Sequence, residues 1–359
     1  QEAMRQLLRD PNIASKNWVY RQYDHTVRTG TMVKPGSDAA VFHVKYANKI
    51  LAATSDCNSL YCALDPREGA KIAVAEAARN LICSGAKPLA VTDNLNFGNP
   101  YKPENFWQLR EAVEGAAEAC QAFETPVTGG NVSLYNESPA GVVDPTPTIG
   151  MVGLIQKEAH ITTQWFKHAG DEIILVGKIG DELGGSRFLK VCHGKKLGPP
   201  PRVDLNHEIK VQSAVRDLIR AGFVKSAHDC SDGGLAVAIA ESCFNPAGRL
   251  GARIVVGAPV SDAENSKKTA HTAAATLFNE SQSRIVISVA PDNFEKAISM
   301  LEDSGVPFQR LGEAGGDQLN VQVGEHELTW PIADLYDDWW NSIRRLVESD
   351  SSSEGIPSL

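Results

Sequence analysis

The chain has 359 residues, 42% of them apolar and 22% charged, the mix of a globular protein with more than one core. Its net charge of −9 comes with no block of Lys or Arg, which argues against nucleic acid or an anionic membrane as a partner. No apolar run approaches the roughly 18 residues of a membrane helix, and no basic segment followed by an apolar one marks a secretory leader. The seven cysteines show no C-x-x-C spacing, so free thiols in a reducing cytoplasm are expected. The first residue is Gln1 rather than Met, which fits a processed protein or a fragment.

Residues 1–35 read as a connector. Gln1 to Arg9 has the makings of a short helix stopped by Pro11, and the polar and aromatic stretch from Asn17 to His25 has no clean period. A first domain is expected over 36–157. Alternation through Ala40–Lys45, then Ile50–Ala53, predicts a strand pair. Pro66 opens a helix with Val74, Ala77, Ala78 and Leu81 on an apolar stripe, ended by Gly85. Leu89–Val91 reads as a short strand. Pro103 opens a second helix with Phe106, Leu109, Val113, Ala116, Ala117 and Cys120 on one face. Pro126–Thr128 and Thr148–Ile155 read as strands. A second domain is expected over 165–327. It contains a strand at Glu172–Val176, a helix capped by Asp204 and stopped by Gly222, and a helix after Asp232-Gly233-Gly234. Strands at Arg253–Val256 and Arg284–Val289 and a helix from Asp292 to Ser304 follow. Ile332, Leu335, Trp339, Ile343 and Leu346 predict a docking helix within 328–347, and the Ser-rich, acidic segment 348–359 reads as disordered. Helical and strand segments alternate too little for a doubly wound sheet, so the class is α+β.

Five clusters carry chemistry. Thr54-Ser55-Asp56-Cys57-Asn58-Ser59 follows a strand and fits either a Mg2+ or phosphate site or an Asx turn. Glu76 and Asn80, at i,i+4, put a carboxylate and an amide on one helix face, able to share a cation or simply to hydrogen-bond. Thr92 to Pro100 holds three Asn, an Asp and a Gly, more than a plain connection needs, and is expected to be a tight loop. In Thr128-Gly129-Gly130-Asn131-Val132-Ser133 the glycines allow close backbone approach to a ligand; in extended chain Asn131 and Ser133 point to one side. A glycine turn fits equally. His228 to Gly234 precedes a helix N-terminus, a place for phosphate or for ordinary capping. The chain has no G-x-x-x-x-G-K-[ST] loop, so any nucleotide would be held through carboxylate-bound Mg2+.

In this order, the clusters resemble the second half of the phosphoribosylformylglycinamidine synthase family, of the small, stand-alone type. Asp65-Pro66, Ala75 to Asn80, Gly130 to Glu137, Pro147 to Gly153, Asp181 to Ser186 and Phe278 to Arg284 extend the match over nearly the whole chain. The resemblance implies a ferredoxin-like N-terminal domain that forms a β-barrel on dimerisation or pseudo-dimerisation. A second α/β domain of the aminoimidazole ribonucleotide synthetase C-terminal type follows it. It implies an ATP- and Mg2+-dependent ligase that converts formylglycinamide ribonucleotide and glutamine-derived ammonia to formylglycinamidine ribonucleotide in purine synthesis. The implied partners are the N-terminal half, a glutaminase and a small bridging subunit. By the same resemblance Asp93 and Gly130 match ATP contacts, Asn131 a Mg2+ ligand and Ser133 a substrate contact. Asp56, Glu76, Asn80 and Asp229 match the metal ligands of an auxiliary nucleotide site. The family's catalytic His lies in the other half; here the corresponding segment reads Ser55-Asp56-Cys57-Asn58. A single-copy homodimeric enzyme such as aminoimidazole ribonucleotide synthetase, or a non-catalytic nucleotide-binding half, is the alternative. The isolated chain is expected to dimerise through an unpaired sheet edge around Val41–Val44 and Ile50–Ala53.

Overall fold

The computed structural model describes residues 1–257 and 273–353. The connector forms helices α1 (Glu2–Arg9) and α2 (Asn17–Tyr20). The first domain contains strands β1 (Thr31–Val33), β2 (Ala40–Val44) and β3 (Lys49–Asp56), then helices α3 (Ser59–Leu64) and α4 (Pro66–Cys83). Strand β4 (Lys87–Asn96), helix α5 (Pro103–Ala122), β5 (Val127–Ser133), a two-residue hairpin β6 (Glu137–Ser138) and β7 (Gly141–Val142), and β8 (Thr146–Ile155) complete it. Its six-stranded sheet runs β1-β2-β3-β8-β4-β5, and only the β4–β5 pair is parallel.

The second domain has β9 (Glu172–Val176), α6 (Arg187–His193), α7 (Leu205–Arg220), β10 (Val224–Asp229) and α8 (Gly234–Cys243). These are followed by β11 (Ala252–Val256), α9 (Ala273–Phe278), β12 (Ile285–Val289), α10 (Phe294–Ser304), β13 (Phe308–Ala314), β14 (Gln318–Val323) and β15 (His326–Pro331). Its sheet order is β10-β12-β9-β13-β11-β14-β15. Helix α11 (Ile332–Ser353) then returns to α1, where Asp338 accepts from Arg5 Nε and Arg9 Nε at 2.6 and 2.8 Å. Residues 348–353, expected as part of a disordered tail, continue this helix, and the rest of that segment, 354–359, lies outside the described residues. No helix among the described residues is long and apolar enough to cross a membrane.

Helix α4 positions everything else. Asp65 caps it by accepting from Glu68 N–H at 3.1 Å, with Pro66 in its first turn. It is buried along most of its 18 residues, because the first sheet and α5 cover one side and α7 and β10 the other. Arg79, with no exposed side-chain surface, lies at that junction. It donates to Glu208 Oε1 at 3.0 Å and to Gln282 Oε1 at 2.7 Å, and lies 3.7 Å from Asp229 Oδ2. A buried guanidinium is tolerated only with such a full set of acceptors.

Several expectations change. The strand expected at 89–91 extends to Asn96, so the supposed loop at Thr92–Asn96 is paired on both sides. Its polar residues alternate with the buried Val91 and Leu95, the ordinary two-residue period of a strand. On α5 the buried residues are Asn105, Ala112, Gly115, Ala119 and Cys120; of the expected face Cys120 is buried and Leu109 and Ala116 pack against the core, whereas Phe106 is 55% exposed and Val113 is also outside. A Cβ on Gly115 would collide with the Arg67 carbonyl, so close packing against α4 selects the small residues. The sheet edges are β1 and β5, not the 41–44 and 50–53 strands, which are paired on both sides; Val41 is buried in the domain's own core.

The sheet is open rather than a closed barrel. Helices cover one face. The other presents Leu51, Ala53, Val152 and Leu154 at one end and Thr92, Asn94, Thr148, Asn131 and Ser133 at the other, as the strand register dictates.

Candidate functional site

The parallel β4–β5 pair brings two of the expected clusters side by side. Asp93 is opposite Gly130, Asn94 opposite Asn131, and Asn96 opposite Ser133. A Cβ on Gly130 would run into Asp93 Oδ1, so glycine is what lets this carboxylate lie against the neighbouring backbone. Burial moves the Asp93 carboxyl above its usual range. Asn131 Nδ2 donates to Asn94 Oδ1 at 3.0 Å, which leaves Asn131 Oδ1 as the atom available to a cation. Ser133 Oγ donates to Asn136 Oδ1 at 3.2 Å. Asn131 and Ser133 alternate onto the open face of the sheet, Asp93 and Gly130 onto the other.

A second cluster lies between the domains. Asp56 ends β3, Glu76 and Asn80 lie on α4, and Asp229 ends β10. Asp56 accepts from Asn80 Nδ2 at 2.9 Å and from Thr54 Oγ1 at 3.1 Å. Burial, reinforced by mutual repulsion, pushes Asp56 up to about 7 and Glu76 well above its usual range. Asp229 rises to about 6 through burial, against the pull of Arg79. The two clusters share one sheet: Asp56 and Asp93 both pair with Ile149 of β8, which sets them in one row two strand spacings, or about 10 Å, apart.

Asp38, just before β2, belongs to this cluster and was not expected from the sequence. Gly36-Ser37-Asp38 reads as a turn, and nothing local marks the side chain. Asp38, His228 and Asp229 each offer a ligand atom, and these lie within 4.8 Å of one another. His228 Nδ1 lies 2.6 Å from Asp38 Oδ1, and its Nε2 lies 3.1 Å from Glu241 Oε2. Burial alone would lower this histidine; the two carboxylates outweigh it and hold the ring as imidazolium. Among the described residues Asp38 Oδ2 and Asp229 Oδ2 are buried without a hydrogen-bond partner, Asp229 Oδ2 lying 3.7 Å from the Arg79 guanidinium. Orphaned carboxylate oxygens are costly, and a divalent cation would satisfy them.

The helix N-terminus at Gly233-Gly234 is not an open anion cradle. Glu280 Oε1 accepts from Gly233 N–H at 2.7 Å and from Arg187 N–H at 2.8 Å, and Tyr61 donates its hydroxyl to Glu280 Oε2. Asp232 is taken by Asn58 Nδ2 at 2.8 Å and Arg187 Nε at 3.2 Å. The protein's own carboxylates therefore occupy the place expected for a phosphate.

Two family descriptions match the two domains: AIR synthase related protein, N-terminal domain, over residues 36–155, and AIR synthase related protein, C-terminal domain, over 168–324. The chain belongs to the AIR synthase related family. It is 47% identical over 347 residues to the phosphoribosylformylglycinamidine synthase subunit PurL of Alkaliphilus metalliredigens, a match covering 96% of this chain and 45% of that protein. The fold matches T. maritima PurL complexed with FGAR at TM-score 0.73 and 17% identity, covering 93% of this chain and 53% of that one. It also matches T. maritima PurL complexed with ATP at TM-score 0.68 and 18% identity, covering 92% and 52%. The chain thus spans about half the length of the relatives it matches.

The carboxylate cluster makes stability depend on pH. Carboxyls raised in the folded state hold protons more tightly there than in the unfolded chain, whose values lie near about 4. Their stabilisation is complete below about pH 4 and is lost as pH rises through 6 to 7. Asp56→Asn should therefore raise stability by about 1 kcal/mol or more at pH 8 and by much less at pH 4, measured by urea unfolding in EDTA. The same effect at both pH values would remove Asp56 from the cluster.

Proposed function

We propose that the chain is the second half of a phosphoribosylformylglycinamidine synthase of the small type. Such an enzyme uses ATP to convert formylglycinamide ribonucleotide and ammonia to formylglycinamidine ribonucleotide, ADP and phosphate. The observation that carries this reading is the row of Asp93–Gly130, Asn94–Asn131 and Asn96–Ser133 across paired strands, in a chain 47% identical to a PurL subunit. ATP activates the substrate amide oxygen by phosphorylation, and ammonia then displaces the phosphate. Ammonia would come from a glutaminase partner with a small bridging subunit.

In this reading Asp93 and the Gly130 backbone face the nucleotide, and Ser133 positions the ribonucleotide. Asn131 presents its amide oxygen to Mg2+, which neutralises charge on the moving phosphoryl group. Asp38, Asp56, Glu76, Asn80 and Asp229 would hold a second cation at the auxiliary position; the unpartnered oxygens of Asp38 and Asp229 support that fit. Glu280 and Gln282 are instead committed to Tyr61 and Arg79, so in this half they brace the domains. The segment Ser55–Asn58 has no histidine, and the other half supplies the catalytic one. That half covers the open sheet face, closing the barrel.

Alone, the chain should not turn over with ammonium as nitrogen donor; robust activity would favour the single-copy enzyme. Mixed with a separately expressed first half, it should regain ATP-dependent activity. Asn131→Ala should then cost about a hundredfold in rate, and an unchanged rate would remove Asn131 from the site.

A second copy of the chain covers the same face when the first half is absent. Sedimentation at micromolar concentration should show a dimer that Val152→Asp, at a position 38% exposed on that face, dissociates without unfolding the second domain. A monomer for the unsubstituted chain would reject this.

A further inference from the structure

A cavity of about 420 Å3 lies between the connector, the start of the first domain and helix α11. It is separate from both clusters described above: none of their residues lines it. Its walls carry Tyr20, Trp165, Phe244, Tyr336, Trp339 and Trp340. In a chain of net charge −9, none of the described residues lining it is Asp or Glu, whereas Lys34 and His25 do line it; Glu241 lies behind the wall, accepting from Trp339 Nε1 at 3.1 Å. Two more cations flank it. Lys167 Nζ lies 5.7 Å from the Trp165 ring centroid, and the Arg249 guanidinium lies 4.7 Å over Tyr336. His25 Nδ1 is buried and has no hydrogen-bond partner among the described residues.

We infer that this cavity binds a planar heteroaromatic ring bearing an anionic group, the chemistry of a nucleoside monophosphate. The volume falls in the range of about 300–1,000 Å3 usual for small-molecule sites. The tryptophan walls offer a flat ring stacking and edge contacts. Lys34, Lys167 and Arg249 favour an anion. A cationic ligand is disfavoured because Trp165 and Tyr336 already have side-chain cations over their rings.

Three of the chain's six tryptophans line the cavity, so binding reads out as fluorescence quenching. The full chain is titrated with adenosine monophosphate in EDTA, which removes Mg2+-dependent binding at the carboxylates. Saturable quenching is expected, with adenosine and ribose 5-phosphate each about tenfold weaker. Lys34→Glu, at an exposed position, should weaken the monophosphate about tenfold and leave adenosine unchanged. Trp340→Ala should lower the quenching amplitude, with Trp165 and Trp339 still reporting, and Asn131→Ala should leave binding intact. The inference fails if no saturable quenching occurs, or if Asn131→Ala removes it, which would place the nucleotide on β4–β5. It fails equally if ribose 5-phosphate binds as tightly as the nucleotide, or if Lys34→Glu has no effect.

Discussion

Arg79 carries a full positive charge at a point with no solvent access, and the two domains are arranged around it. Its acceptors come from α7, from the segment before β12 and from the end of β10, all parts of the second domain, while Arg79 itself rides on a helix packed under the first sheet. Removing one partner of such a buried set typically costs about 3–5 kcal/mol, because the charges left behind have no water to turn to. The geometry of the junction is therefore tightly specified. Glu76 and Asn80 are placed by the same helix at i−3 and i+1 from Arg79, so the clamp and part of the carboxylate cluster are one element.

The cluster is overdetermined in negative charge. Asp38, Asp56, Glu76 and Asp229 converge with one guanidinium and one imidazolium nearby, and two of their oxygens have no hydrogen-bond donor among the described residues. Raised carboxyls report that conflict. A protein whose only concern was stability would gain from neutral side chains here. A site that receives a divalent cation needs the charge, and the cation removes the repulsion. The Asp93–Gly130 row lies on the same sheet, two strands away, where one face is covered by helices and the other is open. In the proposed reading, the groups that would face the nucleotide and those that would hold a cation are carried by one sheet.

Elements set by local signals were legible in the sequence. Pro66 and Asp65 start α4, Asp204 caps α7 by accepting from Asn206 and His207, and Gly222 follows its end at φ +77°. What was not legible depends on partners distant in the chain. The strand through Thr92–Asn96 looks like a loop until β8 and β5 are placed beside it, and β10 and β13–β15 carry too few local cues to stand out. On α5 the expected face was only partly right: Cys120, Leu109 and Ala116 pack inward, but Phe106 and Val113 do not, since contact with Arg67 demands Gly115 and its small neighbours. At the site, the clusters holding Asp93, Gly130, Asn131 and Ser133 stood out by their unusual residue types, while the role of each residue came only from the family resemblance. Asp38 escaped because a Gly-Ser-Asp turn is ordinary until His228 is brought against it. Of the two readings left open at Gly233, phosphate or ordinary capping, the phosphate one fails for a related reason: Glu280, nearly fifty positions later, fills the place.

The central claim is that the open face and edge of the first sheet form half of an active site, completed by a second, homologous unit. Hydrogen exchange measured with and without a separately expressed first half of a small-type synthase tests it most directly. Slowed exchange in β5, β4 and residues 148–154 on mixing is the predicted result. Slowed exchange confined to the connector and α11, with those strands unchanged, would contradict it.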